Sequence, residues 1–211
     1  MKKLLLSVSI VMLATATFAQ NEKYVQVMQQ NIALLDSAKT GAGLQAASAA
    51  FERVANAEKT QWLPYYYAAL AHIWRGFAAP KDQQDQIATQ AEELLAKAEA
   101  LEPKSAEIFL GKNMAATIHM IIDPQTRWQT YGAQAAEALA TAKKLDENNP
   151  RVYYMEGQSA FGTPVQFGGG KDKAKPLFEK SVALFETFKP ANNLYPTWGK
   201  KQAQDMLALC Q

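Results

Sequence analysis

Apolar and small residues recur every three or four positions through most of this 211-residue chain. In the segment 91–103, Ala91, Leu95 and Ala98 fall on one face of a helix, and Pro103 ends that helix. The same spacing recurs in three further segments, at Ala47, Phe51 and Val54, at Ala135, Leu139 and Ala142, and at Ala174, Phe178 and Ser181. Four similar amphipathic helices predict an array of repeated units.

Each of these helices follows another helical pattern, so the repeated unit is a helical hairpin. The predicted pairs cover about residues 21–40 and 44–57, 64–77 and 86–102, 106–122 and 130–145, and 151–161 and 172–187. Pro196 is expected to begin a last helix that covers the final pair, as the end of a stacked array requires. No segment alternates like a strand between turn signals. The sequence therefore predicts an all-α fold of about four stacked hairpins with a C-terminal capping helix.

The first helices of the pairs combine large and small residues at helical spacing. The residues are Tyr67, Leu70, Ala71 and Trp74 in the second pair, Leu110, Gly111 and Met114 in the third, and Tyr153, Gly157 and Ala160 in the fourth. Together with the second helices, and with Pro103 and Pro150 after them, this pattern resembles the tetratricopeptide repeat (TPR) family. The units are longer than the ~34 residues usual in that family. The extra residues fall inside the hairpins, at 76–85, 123–131 and 162–171.

The resemblance implies a binding groove lined by the first helix of each pair. The corresponding positions in this chain are Tyr65, His72, Arg75, Lys112, Arg151, Tyr154 and Gln158. Arginine pairs with carboxylates through two donors and tyrosine offers rigid contact area, so such a groove would suit a protein or extended peptide with an acidic segment. An ordinary solvated face is the alternative interpretation.

The three long turns inside the hairpins are expected to share one edge of the array, where binding sites often lie. Aromatic residues accompany these turns, namely Trp128, Tyr131, Phe161 and Phe167. They either pack the turns down on the array or form a ligand patch. A pocket beneath them would suit a small molecule.

The first nineteen residues have the pattern of a signal peptide. Lys2 and Lys3 precede an apolar run over 4–18, and Thr17 and Ala19 are small residues at the positions that a signal peptidase reads. No cysteine follows for lipid attachment. We therefore expect cleavage after Ala19, a single domain over 20–211, no stable membrane insertion, and a periplasmic or secreted location in a bacterium.

Charge and cysteine content narrow the range of partners. The chain has 22 basic and 20 acidic residues, and two of the lysines lie in the first nineteen residues. The chain after residue 19 therefore has a formal net charge of zero, which argues against a protein that binds nucleic acids in general. Cys210 is the single cysteine, so no disulfide can form within the chain. Its thiol is interpreted as packed in the last helix, and a disulfide between two chains is the alternative.

Motifs for chemistry are weak throughout. The run 167–172 contains three glycines and a lysine, but it lacks the first glycine and the hydroxyl residue of a phosphate loop. The segment 157–161 begins like a nucleophile elbow, but Phe161 stands where a glycine is required. His72 and His119 are too far apart in sequence to form a local metal motif. The sequence predicts no catalytic residue, no metal site, no cofactor and no enzymatic activity.

These observations predict a non-catalytic scaffold of the bacterial envelope that binds another protein or a peptide. The alternative is a small-molecule carrier, or a transport accessory protein, with a pocket under the long turns. A structural subunit or homo-oligomer is a third interpretation.

Overall fold

The computed structural model describes residues 22–211, and every regular element in that part of the chain is helical. The all-α prediction is therefore confirmed. The predicted signal peptide over 1–19 lies outside the described residues. Within them, no helix combines the length and the apolar character needed to cross a membrane.

The helices follow one another through short connections. Their bounds are 22–37 (α1), Gly41–Ala57 (α2), Trp62–Ala78 (α3), Lys81–Leu101 (α4), Ala106–Ile122 (α5), Pro124–Arg127 (α6), Ala133–Leu145 (α7), Pro150–Gly162 (α8), Lys171–Thr187 (α9) and Lys200–Leu209 (α10). A single π turn, Trp128–Gly132, joins α6 to α7, and a short 3₁₀ helix, Val165–Phe167, lies between α8 and α9. Local signals start two of the helices: the Thr40 side chain accepts a hydrogen bond from the N–H of Gly43, and Asn149 accepts one from Arg151.

Successive helices pack side by side as stacked hairpins around one continuous core. Small residues let neighbouring helices approach, as the spacing predicts. A Cβ on Gly111 would lie 2.7 Å from Leu95, and one on Gly157 would lie 2.5 Å from the ring of Phe178. Large residues of the second helices thus occupy the space over the glycines of the first helices.

The predicted turns inside the hairpins differ from one another. The first, over 76–85, is mostly helix, because α4 begins at Lys81 and leaves only Ala79 and Pro80 as the connection. The side chain of Gln84 donates a buried hydrogen bond to the carbonyl of Gly76, which holds α3 and α4 together at this point. The second turn contains α6 and the π turn, and the third contains the 3₁₀ helix. The extra length of the second pair, α3 and α4, therefore lies in its helices.

The last helix covers α9, as predicted for a cap, but it begins at Lys200 and not at Pro196. Gly199 before it has a φ of 111°, and a Cβ there would lie 2.9 Å from the ring of Phe185, so glycine is required at this corner. Cys210 at the end of this helix is buried, in agreement with the packed-thiol interpretation.

A non-helical segment, residues 188–199, connects α9 to α10 and is called the C-terminal strap. It passes the first turns of α3 and α8. The Tyr67 hydroxyl donates a hydrogen bond to the Leu194 carbonyl at 2.9 Å, and an Arg151 N–H donates one to the Pro196 carbonyl at 2.6 Å. The indole N–H of Trp198 donates to the Tyr66 hydroxyl at 2.9 Å. The strap therefore ties the starts of the first helices together.

Candidate functional site

A groove of about 1950 Å³ runs between α5 and α7 on one side and α8 on the other. It exists because α8 packs closely against α9 but approaches α5 and α7 much less closely. The end of α1, the end of α3, the π turn and the start of α10 complete its walls. A concave surface of this size is the first place to look for a ligand.

The first half of the α7 wall of the groove carries mainly small residues. Gly132, Ala133, Ala136 and Ala140 all line it, and the three alanines are exposed. The α8 wall presents larger groups, among them Tyr154, whose hydroxyl accepts a hydrogen bond from the Gln158 amide at 2.6 Å. Because one wall is thin and apolar, the groove has room for a flat ligand.

Aromatic and sulfur-containing side chains also line the groove. These are Trp74, Phe77, Trp128 and Trp198, together with Met114, Met120 and Met155. Trp128 is 58% exposed and Phe77 is 43% exposed, which is unusual for such large apolar groups. Exposed aromatic surface beside a concavity is typical of ligand-binding sites.

The groove carries more positive than negative side chains. Five lysines line it, Lys39, Lys143, Lys144, Lys200 and Lys201, against three carboxylates, Asp36, Glu147 and Glu156. Lys143 pairs with Glu156 at 2.7 Å, Lys200 pairs with Glu186, and Lys201 pairs with Asp205. No carboxylate of the described residues forms an ion pair with Lys39 or Lys144. An anionic ligand would therefore find cationic partners at the groove.

Among the described residues that line the groove, none is a histidine or a cysteine. The described part of the chain also contains no group of three or more histidine, cysteine, aspartate or glutamate side chains arranged to hold a metal ion. The three methionine thioethers that line the groove are soft donors, and the tyrosine hydroxyls are hard oxygen donors.

The π turn, where Trp128 sits, is held by a polar cluster on α4 and α5. Arg127 donates two hydrogen bonds to the Asp85 carboxylate, at 2.6 and 3.0 Å, and His119 donates a third to it at 2.6 Å. The Tyr131 ring stacks on the His119 ring with centroids 4.6 Å apart. The hydrogen bonds from Arg127 hold the pKa of Asp85 below its usual value. This cluster fixes the segment that brings Trp128 to the groove.

A buried ion pair lies at the starts of α5 and α8. Arg151 and Glu107 are both 0% exposed, and an Arg151 N–H donates to the Glu107 carboxylate at 3.1 Å. Asn149 donates to the same oxygen at 2.8 Å. Three aromatic rings surround the guanidinium, those of Phe185, Phe188 and Trp198. Burial raises the pKa of Glu107, and the charge of Arg151 opposes that change. We call this network, together with the strap that it holds, the clamp.

The seven residues that the resemblance placed in one groove are divided among several environments. Tyr154 and Gln158 line the groove described above. His72 and Arg75 line a separate concavity of about 790 Å³ between α2, α3 and α4, where Arg75 donates to the His72 ring at 3.2 Å. The remaining three are engaged within the protein: Tyr65 donates to the Ala55 carbonyl, Lys112 pairs with Glu99, and Arg151 belongs to the clamp.

Arg151 differs most from the prediction, because its own chain occupies the place that the resemblance gave to a ligand. The strap lies against the start of α8 and takes the hydrogen bond that an external acceptor would take. An arginine that the resemblance placed in a binding groove is thus used here for internal packing.

The four aromatic residues of the long turns also have different roles. Trp128 lines the groove, and Tyr131 is stacked on His119. Phe161 is half-buried against the core, whereas Phe167 is 75% exposed at the 3₁₀ helix. These residues do not form one patch, and Trp128 is the one that the structure places in the groove.

Sequence reasoning missed several groove residues. Trp74, Met114 and Tyr153 had been assigned to packing, and Lys143 and Trp198 were not singled out at all. One signal was present in the sequence: α7 has alanines on its exposed side, at 133, 136 and 140, where a solvated helix would carry charged residues.

No protein-family model matches this chain, and no curated protein matches it either. Among solved structures it is similar to the HusA haemophore from Porphyromonas gingivalis. The two are 39% identical, the match covers 89% of this chain and 92% of that chain, and the TM-score is 0.82. The tetratricopeptide pattern stays a resemblance in the helical spacing.

Proposed function

The chain belongs to the same family as the HusA haemophore, and from that premise we propose that it is a carrier that binds haem in the groove between α7 and α8. The proposal takes up the small-molecule alternative, which the family relationship supports better than the protein scaffold. Haem is here a cargo, and the protein performs no chemistry on it. The predicted signal peptide fits a carrier that works outside the cytoplasm.

The shape of the groove is the observation that carries the proposal. A porphyrin is a flat macrocycle with two apolar faces, so it needs two apolar walls with a narrow space between them. The alanines of α7 provide a thin apolar wall, and the rings of Trp128 and Trp198 provide further apolar contact. Aromatic rings favour stacked or edge contacts with a conjugated ligand.

The charges of the groove suit the remaining parts of haem. Its two propionates are carboxylates, and the groove carries the lysine excess described above. A lysine ammonium binds a carboxylate as a compact charge without fixed geometry, so the rim can accept a ligand in more than one tilt.

The iron would have no histidine partner in this groove. The groups that could approach it are Met114, Met120, Met155 and the tyrosine hydroxyls. His119 is engaged by Asp85 and Tyr131, and His72 lines the other concavity. We therefore expect His72→Ala to bind haem like the wild type. His119→Ala should leave the Soret band of the complex unchanged, although its affinity can fall because His119 helps to hold the π turn that carries Trp128.

The test is to fill the groove without disturbing the core. Ala140 is exposed on the α7 wall, so Ala140→Trp should leave the fold intact and weaken haem binding by about tenfold or more, a change of ~1.4 kcal/mol. Ala96→Trp is the matched control, because Ala96 is exposed on α4 and lines neither concavity. Titration followed by the Soret band and by tryptophan fluorescence measures both. Equal affinity of the two variants would contradict the proposal.

A further inference from the structure

One ion pair joins the two walls of the groove. Lys143 lies on α7 and Glu156 on α8, and the lysine donates a hydrogen bond to the carboxylate at 2.7 Å. Both side chains line the groove. Within residues 22–211, Lys143–Glu156 is the one ion pair that connects α7 to α8. These two helices otherwise make few contacts with each other.

The pair contributes little to holding the walls together. The Lys143 side chain is 42% exposed and the Glu156 side chain is 23% exposed, so water screens their attraction. Pairs of this kind stabilise a protein only slightly. The bond to Glu156 nevertheless raises the pKa of Lys143, and the ammonium also lies 5.1 Å from the centre of the Tyr153 ring. Lys143 is therefore charged and positioned, and its present partner is exchangeable.

We infer that Lys143 binds a carboxylate of the ligand and that Glu156 forms an ion pair with Lys143 when no ligand is bound. This inference rests on the proposed function and names the residues that select a ligand bearing an acid group. Lys144 adds a neighbouring positive charge on α7, and Glu147, in the turn after that helix, adds a negative one. On binding, the ligand carboxylate replaces that of Glu156, which turns to water at the half-exposed rim.

The exchange makes two opposite predictions. Lys143→Gln removes the partner of the ligand acid, so it should weaken binding of a porphyrin diacid by about fivefold. Glu156→Gln removes the competitor, so it should tighten binding of the same ligand by about two- to fivefold. A role in structure alone would make both changes unfavourable.

The experiment compares iron protoporphyrin IX with its dimethyl ester, which has the same macrocycle but no carboxylate. Affinities of both ligands are measured for the wild type, Lys143→Gln, Glu156→Gln and Lys97→Gln. The last is the charge control, since Lys97 is exposed on α4 and lies outside the groove. We expect Lys143→Gln and Glu156→Gln to change the affinity for iron protoporphyrin IX in opposite directions. Neither variant should change the affinity for the dimethyl ester. Lys97→Gln should change neither ligand.

The inference is overturned if Lys143→Gln leaves diacid affinity unchanged, if it weakens diacid and ester alike, or if Glu156→Gln weakens the diacid. In each of these outcomes the wild type still binds porphyrin, so the proposed function stands. A wild type that binds neither the diacid nor the ester removes the proposed function and this inference with it. Thermal unfolding of each variant checks that the fold is retained.

Discussion

Helices α5 and α8 meet at their starts and separate along the rest of their length. At the starts, the clamp holds them through Glu107 and Arg151, both fully buried, and through the strap. Further along, the groove separates them, and its rim exposes large apolar side chains such as Trp128. The comparison teaches that one end is specified by buried charge and hydrogen bonds, which leaves the other end free to bind a ligand.

The largest effect is expected from breaking the clamp. Arg151→Met leaves the Glu107 carboxylate buried without its cation, so we expect a loss of ~3–5 kcal/mol in the free energy of unfolding. The double variant Glu107→Leu/Arg151→Met removes both charges and should be more stable than the single variant. Urea unfolding measures each. If the single variant were as stable as the wild type, the clamp would not determine how α5 and α8 meet.

A smaller loss is expected where α8 packs closely on α9. Gly157→Ala would place its methyl group against the Phe178 ring, so we expect a loss of ~1–3 kcal/mol from overpacking. Gly162→Ala is the matched control, because nothing lies within 4 Å of a Cβ at that position in the same helix. Thermal melting should separate the two variants. Equal melting temperatures would mean that α8 can move away from α9 without cost.

Alkaline pH should lower the free energy of unfolding, because Tyr195 of the strap would lose its proton. Burial, with the nearby Glu107 charge, raises the pKa of Tyr195 to about 12, from an ordinary value of about 10. Because the fold favours the neutral phenol, this contribution to stability is complete below about pH 10 and is lost as the pH rises through about 12. Tyr195→Phe should lose less stability than the wild type between pH 8 and pH 11, measured by urea unfolding. Identical losses would remove Tyr195 from the explanation.

The smallest effect on stability is expected at the open end. Trp128→Ala should change the free energy of unfolding by less than ~0.5 kcal/mol, since the ring is largely exposed. Haem affinity should nevertheless fall by about two- to tenfold, because the ring lines the groove.

Trp62→Ala should give the opposite pattern to Trp128→Ala. Trp62 makes edge contacts with Tyr66 and Tyr195 near the clamp and does not line the groove. This variant should lose stability and keep its haem affinity. If Trp128→Ala were less stable than Trp62→Ala, the clamp would not be the end of the molecule that contributes more to stability.

Much of the architecture could be predicted from the sequence. The helical spacing identified the hairpins, and the small residues at 111 and 157 were correctly expected to admit a neighbouring helix. The capping helix was predicted too, with a start a few residues early. These features depend on residues close together in the chain, so local periodicity is enough to reveal them.

The site could be predicted only in part. Tyr154, Gln158 and Trp128 were named and do line the groove, but Arg151 was assigned to a ligand surface and is buried. A repeat pattern tells which face of a helix is turned toward the concave side. It does not tell whether the chain itself returns to cover that face, as the strap does here.

Local periodicity predicts an all-α array of hairpins, because each helix is encoded by contacts within three or four residues. Where the array is closed and where it is open depends on contacts between distant parts of the chain. The bonds that close it join residues far apart in the chain, Glu107 with Arg151 and Tyr67 with Leu194, separated by 44 and 127 positions. No local pattern records such pairings, because the residues that pair lie far apart in the sequence.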